Sequence, residues 1–220
     1  VEQGYLARRG TRWEVSEDLM YEELPVPYSL EALIHSRIDT LPPELKHLLR
    51  YAAVLGDPFK MTTLEWVSAT SNVRHHLNRL ASRLLVQRDG EAGRWRFAHS
   101  MVESVVYDSM LKANRAAMHR KVAQALEAGW EGSEADHAET LAYHFAQADE
   151  GAKALDYLVL AGERALARSG NEQAVRYFEQ AAERLSSQSN PSVEVHWRVV
   201  TGLGDAYRSV GRYQASRRAL

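Results

Sequence analysis

The second half of the sequence is divided into helical segments of nearly equal length. Alanine and larger apolar residues recur at helical spacing over residues 134–148, 152–168, 171–186 and 193–210, and short polar runs with Gly or Pro separate them. One helix follows another every roughly twenty residues, so each helical hairpin takes about forty. A single hairpin of this kind cannot bury its apolar face. The pattern therefore predicts a stack of hairpins, an α-solenoid.

Two segments of this stack keep the spacing of the tetratricopeptide repeat. The residues that match its first helix are Leu203, Gly204, Tyr207, Gly211 and Tyr213, and those that match its second helix are Ala174, Phe178 and Ala181. Small residues allow paired helices to approach closely, and aromatic rings fill the groove between them. Residues 113–220 are therefore predicted to be tetratricopeptide-like helical repeats, truncated at the C-terminus.

The first half combines short helices with one strong hairpin signal. Apolar residues three and four apart predict a helix from Ser29, another from Pro43, and two more between residues 62 and 84. Residues 85–88 and 95–97 flank Asp89-Gly90, a dipeptide typical of hairpin turns. Helices followed by a hairpin are the order of a winged helix-turn-helix, which we assign to residues 29–112 with the hairpin as its wing. The whole chain is thus predicted to be mainly α.

Composition excludes several classes of function. The 220 residues include no cysteine, which rules out disulfides, thiolate catalysis and Cys-ligated zinc. No apolar run is long enough to cross a bilayer, and no signal peptide opens the chain, so we expect a cytoplasmic protein without a membrane partner. Neither a P-loop nor any other catalytic motif occurs, so the chain by itself is not predicted to be an enzyme. Because it begins at Val1 and stops within a helical pattern, we expect it to belong to a longer protein.

Arginines gather on the third helix of the predicted winged helix and on its hairpin. They are Arg74, Arg79, Arg83, Arg88, Arg94 and Arg96. If this helix enters a major groove and the wing follows the phosphate backbone, the set would bind DNA. The alternative is a solvated helix face whose arginines pair with acidic side chains. The net charge of -2 adds no overall attraction for nucleic acid.

The nine histidines do not predict a metal site. His75 and His76 are adjacent, so on a helix they point about 100° apart. His137 and His144 lie on one face but about 10 Å apart along the axis. Solvated or hydrogen-bonded histidines are the better interpretation.

His99 differs from the others by its position. It follows the second hairpin strand and precedes a helix that we predict to be capped by Ser100. A side chain there would sit at a helix N-terminus, where partial positive charge and free N–H groups favour an anion. A buried, satisfied histidine is the alternative.

Several runs together resemble the STAND class of signalling ATPases. They are residues 24–34, 37–42, 52–59, 97–99 and 105–107, followed by Arg115, His119, Arg120 and Ala123. The chain is most similar to large bacterial regulators in which a P-loop ATPase core precedes a winged helix and tetratricopeptide repeats. Such regulators are often joined to nucleotide cyclase, kinase or LuxR-type DNA-binding domains. Residues 1–28 resemble the tail of the ATPase lid region.

The resemblance implies a role for His99. In this class a histidine of a Met-His-Asp motif contacts the phosphate of bound ADP and holds the off state. His99 occupies the matching place, with Ala98 in place of Met and Ser100 in place of Asp. The chain would then hold no cofactor of its own, while ATP or ADP would bind to its own upstream ATPase domain.

Two functions follow as expectations. The first is a sensor region that couples the nucleotide state of a parent ATPase to a protein or small-molecule effector on the helical repeats. The parent ATPase could also carry a fused nucleotide cyclase. The second is a DNA-binding winged-helix transcriptional regulator with a helical effector domain, for which the contacts would be Arg74, Arg79, Arg83, Arg94 and Arg96.

Overall fold

The chain is mainly α-helical, as the sequence predicts. The computed structural model describes residues 6–9, 12–15, 29–129, 137–187 and 192–219. The strands are β1 Leu6–Arg9, β2 Arg12–Val15, β3 Phe59–Lys60, β4 Val86–Arg88 and β5 Arg94–Phe97. The helices are α1 Leu30–Asp39, α2 Pro43–Leu55, α3 Met61–Ser68, α4 Val73–Ser82, α5 Ser100–Asp108, α6 Lys112–Gly129, α7 Ala138–Gln147, α8 Gly151–Ala167, α9 Asn171–Ser186, α10 Val193–Ser209 and α11 Tyr213–Ala219.

The chain separates into two compact units, Val1–Thr40 and Leu41–Leu220. In the first, β1 pairs with β2 in an antiparallel hairpin, with Leu6 opposite Val15. Residues 10 and 11, between the two strands, and most of residues 1–28 lie outside the described residues. Helix α1 begins after Ser29, whose hydroxyl accepts the Ala32 N–H. The predicted domain boundaries after residues 28 and 112 stay predictions.

In the second unit, a three-stranded antiparallel sheet has the order β3-β5-β4. The predicted hairpin is confirmed, because Val86 pairs with Phe97 and Arg88 with Trp95. Side chains alternate as a strand requires: Trp95 and Phe97 are buried, whereas Arg96 between them is exposed. The core also contains buried leucines of α2, α3 and α4, which are Leu45, Leu48, Leu49, Leu64, Leu77 and Leu80.

Helices α6 to α11 pack in series, each against the next along the chain. Their bounds follow the predicted segments closely, and α9 matches 171–186 at both ends. The start of the segment predicted from residue 134 lies outside the described residues. The residues of the second-helix signature, Ala174, Phe178 and Ala181, are all fully buried. The helical period of the sequence therefore predicted the bounds of these helices well.

Polar contacts also join alternate helices of the series, α6 to α8 and α8 to α10. Glu163 of α8 accepts two hydrogen bonds from the Arg198 guanidinium of α10, at 2.9 and 2.8 Å. Glu127 of α6 accepts from Lys153 Nζ at 2.8 Å and from the Tyr157 hydroxyl at 2.6 Å, both on α8. Polar side chains thus connect α8 to both α6 and α10. Among the described residues, no helix combines the length and apolar character needed to span a bilayer.

Candidate functional site

His99 lies at the junction between β5 and α5 and caps that helix. Its backbone is extended, and its Nδ1 accepts the Met101 N–H at 3.3 Å. The side chain is exposed, so the alternative of a buried histidine is wrong for this residue. Because Nδ1 serves as the acceptor, the proton of the neutral ring resides on Nε2. The ring therefore presents an N–H donor beyond the start of α5.

The prediction that Ser100 caps α5 is wrong. Ser100 is the first residue of the helix, and His99 holds the cap position. The reason is geometric: imidazole Nδ1 stands two bonds from Cβ, as the Oδ1 of an Asn or Asp cap does, and can reach the same backbone N–H. The cap is therefore made by the same side chain for which the sequence predicts an anion contact, and the cap occupies only its Nδ1.

Asp57 fixes the base of this junction. One of its carboxylate oxygens accepts the Phe97 N–H at 3.0 Å, and the other lies 3.6 Å from the Arg96 guanidinium. Burial raises the pKa of Glu103, on the first turn of α5, and the negative charge of Asp57 raises it further. The contacts of Asp57 with Phe97 and Arg96 hold β5 against the loop after α2, and so they fix the position of His99.

Three of the six arginines of the possible DNA-binding set have acidic partners. Arg79 lies 3.6 Å from Glu44, Arg94 lies 3.0 Å from Glu91, and Arg96 lies 3.7 Å from Asp89. Arg88 lies over the Trp95 ring, 5.5 Å from its centroid. The pairs agree with the alternative of a helix face whose arginines are neutralised by nearby carboxylates.

Arg74 is the member of the set that remains open to solvent on α4. With Arg88 and Arg94 it lines a cavity of about 240 Å³ between α4 and the hairpin. Arg83 follows the last residue of α4 and contacts other groups of the chain. Arg74 and Arg94 therefore line one cavity. Arg94, like Arg79 and Arg96, is nevertheless held by acidic side chains.

A buried pair of histidines joins α6 to α7. The Nδ1 atoms of His119 and His144 are 2.9 Å apart, and the two side chains are 0% and 2% exposed. The Nε2 of His119 lies 2.9 Å from the Tyr107 hydroxyl on α5. Two facing ring nitrogens within hydrogen-bond distance require one proton between them. The three side chains thus form one hydrogen-bonded chain across three helices.

Burial is the main cause of the altered titration of this pair. It lowers the pKa of His119 to about 4, with a further contribution from Arg115. It lowers the pKa of His144 to about 3, and the positive charge that His119 acquires on protonation adds to this. Both rings are therefore neutral at pH 7.

Sequence reasoning did not single out the histidine pair. The signal was present, because His119 stands in one stripe with Val122, Ala123 and Leu126. His144 shares its stripe with Leu141, Phe145 and Ala148. A histidine that takes an apolar position in a helical stripe is directed inward, where it needs a polar partner. Within the described ranges, no group of three His, Asp or Glu side chains is arranged to hold a metal ion.

No protein-family model, no curated protein and no solved structure matches the chain.

Proposed function

We propose that the chain is the sensor region of a STAND-like signalling ATPase. In this proposal residues 29–112 form a winged helix, and residues 113–220 form tetratricopeptide-like repeats. The winged helix reads the nucleotide state of an ATPase core, and the repeats receive a protein or small-molecule effector. The observation that carries the proposal is His99, which caps α5 through Nδ1 and leaves its Nε2–H exposed.

The donor set fits a phosphate. Bound ADP would supply anionic phosphate oxygens, which accept hydrogen bonds. His99 offers a ring N–H at the N-terminus of a nine-residue helix, where the helix dipole also favours negative charge. Asp57 holds β5 through the Phe97 N–H and so keeps His99 in position. The order of helices and hairpin in residues 43–108 further supports a winged helix.

The helical repeats supply the second half of the proposed coupling. Val193 and Trp197 lie one turn apart on α10 and are 86% and 67% exposed. Such exposed apolar side chains form a surface on which a protein effector could bind. Effector binding would favour the active state only if its affinity differs between the states with and without the His99 contact.

His99→Asn tests the nucleotide-sensing role. Asparagine is a preferred N-cap, so this variant keeps the cap of α5 but removes the imidazole Nε2–H. In a longer protein that carries this chain behind a P-loop ATPase core, we expect ADP release to be about tenfold faster, as the loss of one charge-assisted hydrogen bond implies. Release of a fluorescent ADP analogue measures it by stopped flow.

The matched control is His75→Asn, which changes an exposed histidine on α4. It is expected to leave the release rate unchanged. If His99→Asn retains ADP as the unchanged protein does, while the control behaves as expected, the sensing role of His99 is wrong.

The DNA-binding alternative is supported by the cavity that Arg74, Arg88 and Arg94 line. The acidic partners of Arg79, Arg94 and Arg96 count against it, since those pairs would have to break. Fluorescence anisotropy with a labelled duplex at two salt concentrations separates the two functions. DNA binding would weaken steeply with salt and would be reduced in Arg74→Ala.

A further inference from the structure

A groove runs between α2 and α6 and is separate from the His99 junction. His47, Arg50 and Tyr51 of α2 form one wall, and Ala117, Met118 and Lys121 of α6 form the other. The turn between α5 and α6 closes one end with Met110 and Leu111. The cavity has a volume of about 450 Å³. Pockets for small molecules span roughly 300–1,000 Å³, so this groove has the size of a ligand site.

The charge in this groove is positive. Arg50 and Lys121 approach it from opposite walls, and no carboxylate is among the residues that line it. Across the described ranges neither side chain has a carboxylate partner, whereas Arg115, Arg120 and Arg198 are paired.

The nearest acidic residues on these elements are already engaged. Asp108, next to the closing turn, pairs with Arg115 at 3.2 Å. Glu44, at the start of α2, lies 3.6 Å from Arg79. Two cations that share a cavity and lack counter-charges form an attractive site for an anion.

The floor of the groove is apolar. Met110 and Tyr51 are buried there, and the flexible Met118 is partly covered. At the rim, Leu111 is 73% exposed, although it adjoins the buried Met110. Asn114, on the first turns of α6, adds an amide that can donate or accept a hydrogen bond. A ligand with an apolar body would cover Leu111 and the methionines, whereas a bare inorganic ion would not.

We propose that this groove binds a small organic anion. The phosphate or carboxylate head pairs with Arg50 and Lys121, and the apolar body lies against Met110, Met118 and Leu111. This site is independent of the nucleotide-sensing role, since it shares no residue with the His99 junction. Its failure would leave that role untouched, and the reverse also holds.

Octyl phosphate is the probe, used with the full chain and below its micelle-forming concentration. Isothermal titration calorimetry is expected to detect binding of octyl phosphate, weaker binding of inorganic phosphate and none of octanol. Arg50→Gln/Lys121→Gln should weaken binding of octyl phosphate at least tenfold. Arg217→Gln/Arg218→Gln carries the same charge change on exposed residues of α11 and should leave binding unchanged.

A second pair of variants tests the position of the site without removing a cation. Ala117 is exposed on the α6 wall, so either substitution should leave the fold intact. Ala117→Glu places a carboxylate in the groove and should weaken binding of octyl phosphate more than the similarly sized Ala117→Gln.

Three results would overturn the proposal. They are no binding of octyl phosphate at millimolar concentration, equal binding by Arg50→Gln/Lys121→Gln, or equal binding of octanol. Sedimentation with vesicles that contain phosphatidic acid distinguishes the source of the anion. Capture of the chain by such vesicles, lost in Arg50→Gln/Lys121→Gln, would assign the groove to a lipid head group and contradict a soluble ligand.

Discussion

His119 and His144 show how one proton can determine the packing of three helices. With a single proton between their Nδ1 atoms, one ring donates and the other accepts. A second proton would set two N–H donors against each other at 2.9 Å in a site without solvent. The close approach of the two rings therefore requires the pair to be neutral.

Acid is expected to destabilise the folded chain through this pair. The unfolded histidines titrate near pH 6.5, whereas the folded pKa values are about 4 and about 3. Below about pH 6.5 the unfolded state therefore binds more protons, and the free energy of unfolding falls as the pH falls. Each histidine contributes up to about 1.4 kcal/mol per pH unit. Urea unfolding between about pH 7.5 and about pH 5.5 measures this dependence.

His144→Asn separates the pair from other titrating groups. Its Oδ1 stands where Nδ1 stood and can accept the His119 proton, but the side chain does not titrate. The contribution of the pair to the pH dependence should fall by roughly half, since one of its two histidines is removed. His75→Asn, on an exposed residue, should retain the full dependence. Equal dependence in the two variants would contradict the assignment.

The cap of α5 shows what residue statistics miss. The position of His99 was predictable, because a hairpin strand ends just before it and an apolar helical stripe begins just after it. Its function as the cap was not, since serine is the stronger N-cap former in general. Which residue caps α5 depends on where the end of β5 places the backbone. That position is fixed by the hydrogen bond from the Phe97 N–H to Asp57, which are 40 residues apart in sequence.

At the scale of elements, α9 is held by a ring placed between two glycines. A Cβ at Gly162 of α8 would lie 2.7–2.9 Å from one edge of the Phe178 ring. A Cβ at Gly202 of α10 would meet the opposite edge. Phe178 is fully buried, so it cannot move away from one helix without meeting the other.

Gly202→Ala should destabilise the stack of α8, α9 and α10. The added methyl overlaps a ring that has no free space, and overpacking of this kind costs about 1–3 kcal/mol. Gly151→Ala is the matched control, because no atom lies within 4 Å of the Cβ it would add. Thermal and urea unfolding should show a loss for the first variant and little change for the second. A loss of the same size in both would contradict this packing.

Elements with a strong local signal were predictable, and their partners were not. The hairpin of β4 and β5 follows from Asp89-Gly90 and its flanking apolar residues, and α9 follows from its period. That Phe178 would meet Gly162 and Gly202 depends on how three helices pack together. No single window of sequence contains that information.

At the scale of the second unit, packing along α6 to α11 is mainly between neighbours. In such a stack, stability is close to a sum over neighbouring contacts. Helix α9 packs against both α8 and α10, whereas the described contacts of α11 are chiefly with α10. Amide hydrogen exchange should therefore show stronger protection in α8 and α9 than in α11. Uniform protection across these helices would indicate one cooperative unit instead.

The pairing of alternate helices limits this independence. Arg198 and Glu163 are partly exposed, so their bond adds only about 0.2–1 kcal/mol. The position of this ion pair matters more, because it connects α8 directly to α10, two helices that are separated in sequence by α9. The sequence contains the charged residues but does not reveal which helices they join. The helical period places many Glu and Arg side chains on exposed faces, and it does not select pairs among them.

Gly162 and Gly202 are about forty residues apart, which is the length of one helical hairpin. The Phe178 ring thus lies between two glycines whose separation in sequence matches the predicted length of one hairpin. Distant relatives could retain this spacing of Gly, Phe and Gly on three successive helices after the rest of the sequence has diverged. A search for that spacing, rather than for overall identity, would be expected to find chains whose helices stack in the same register.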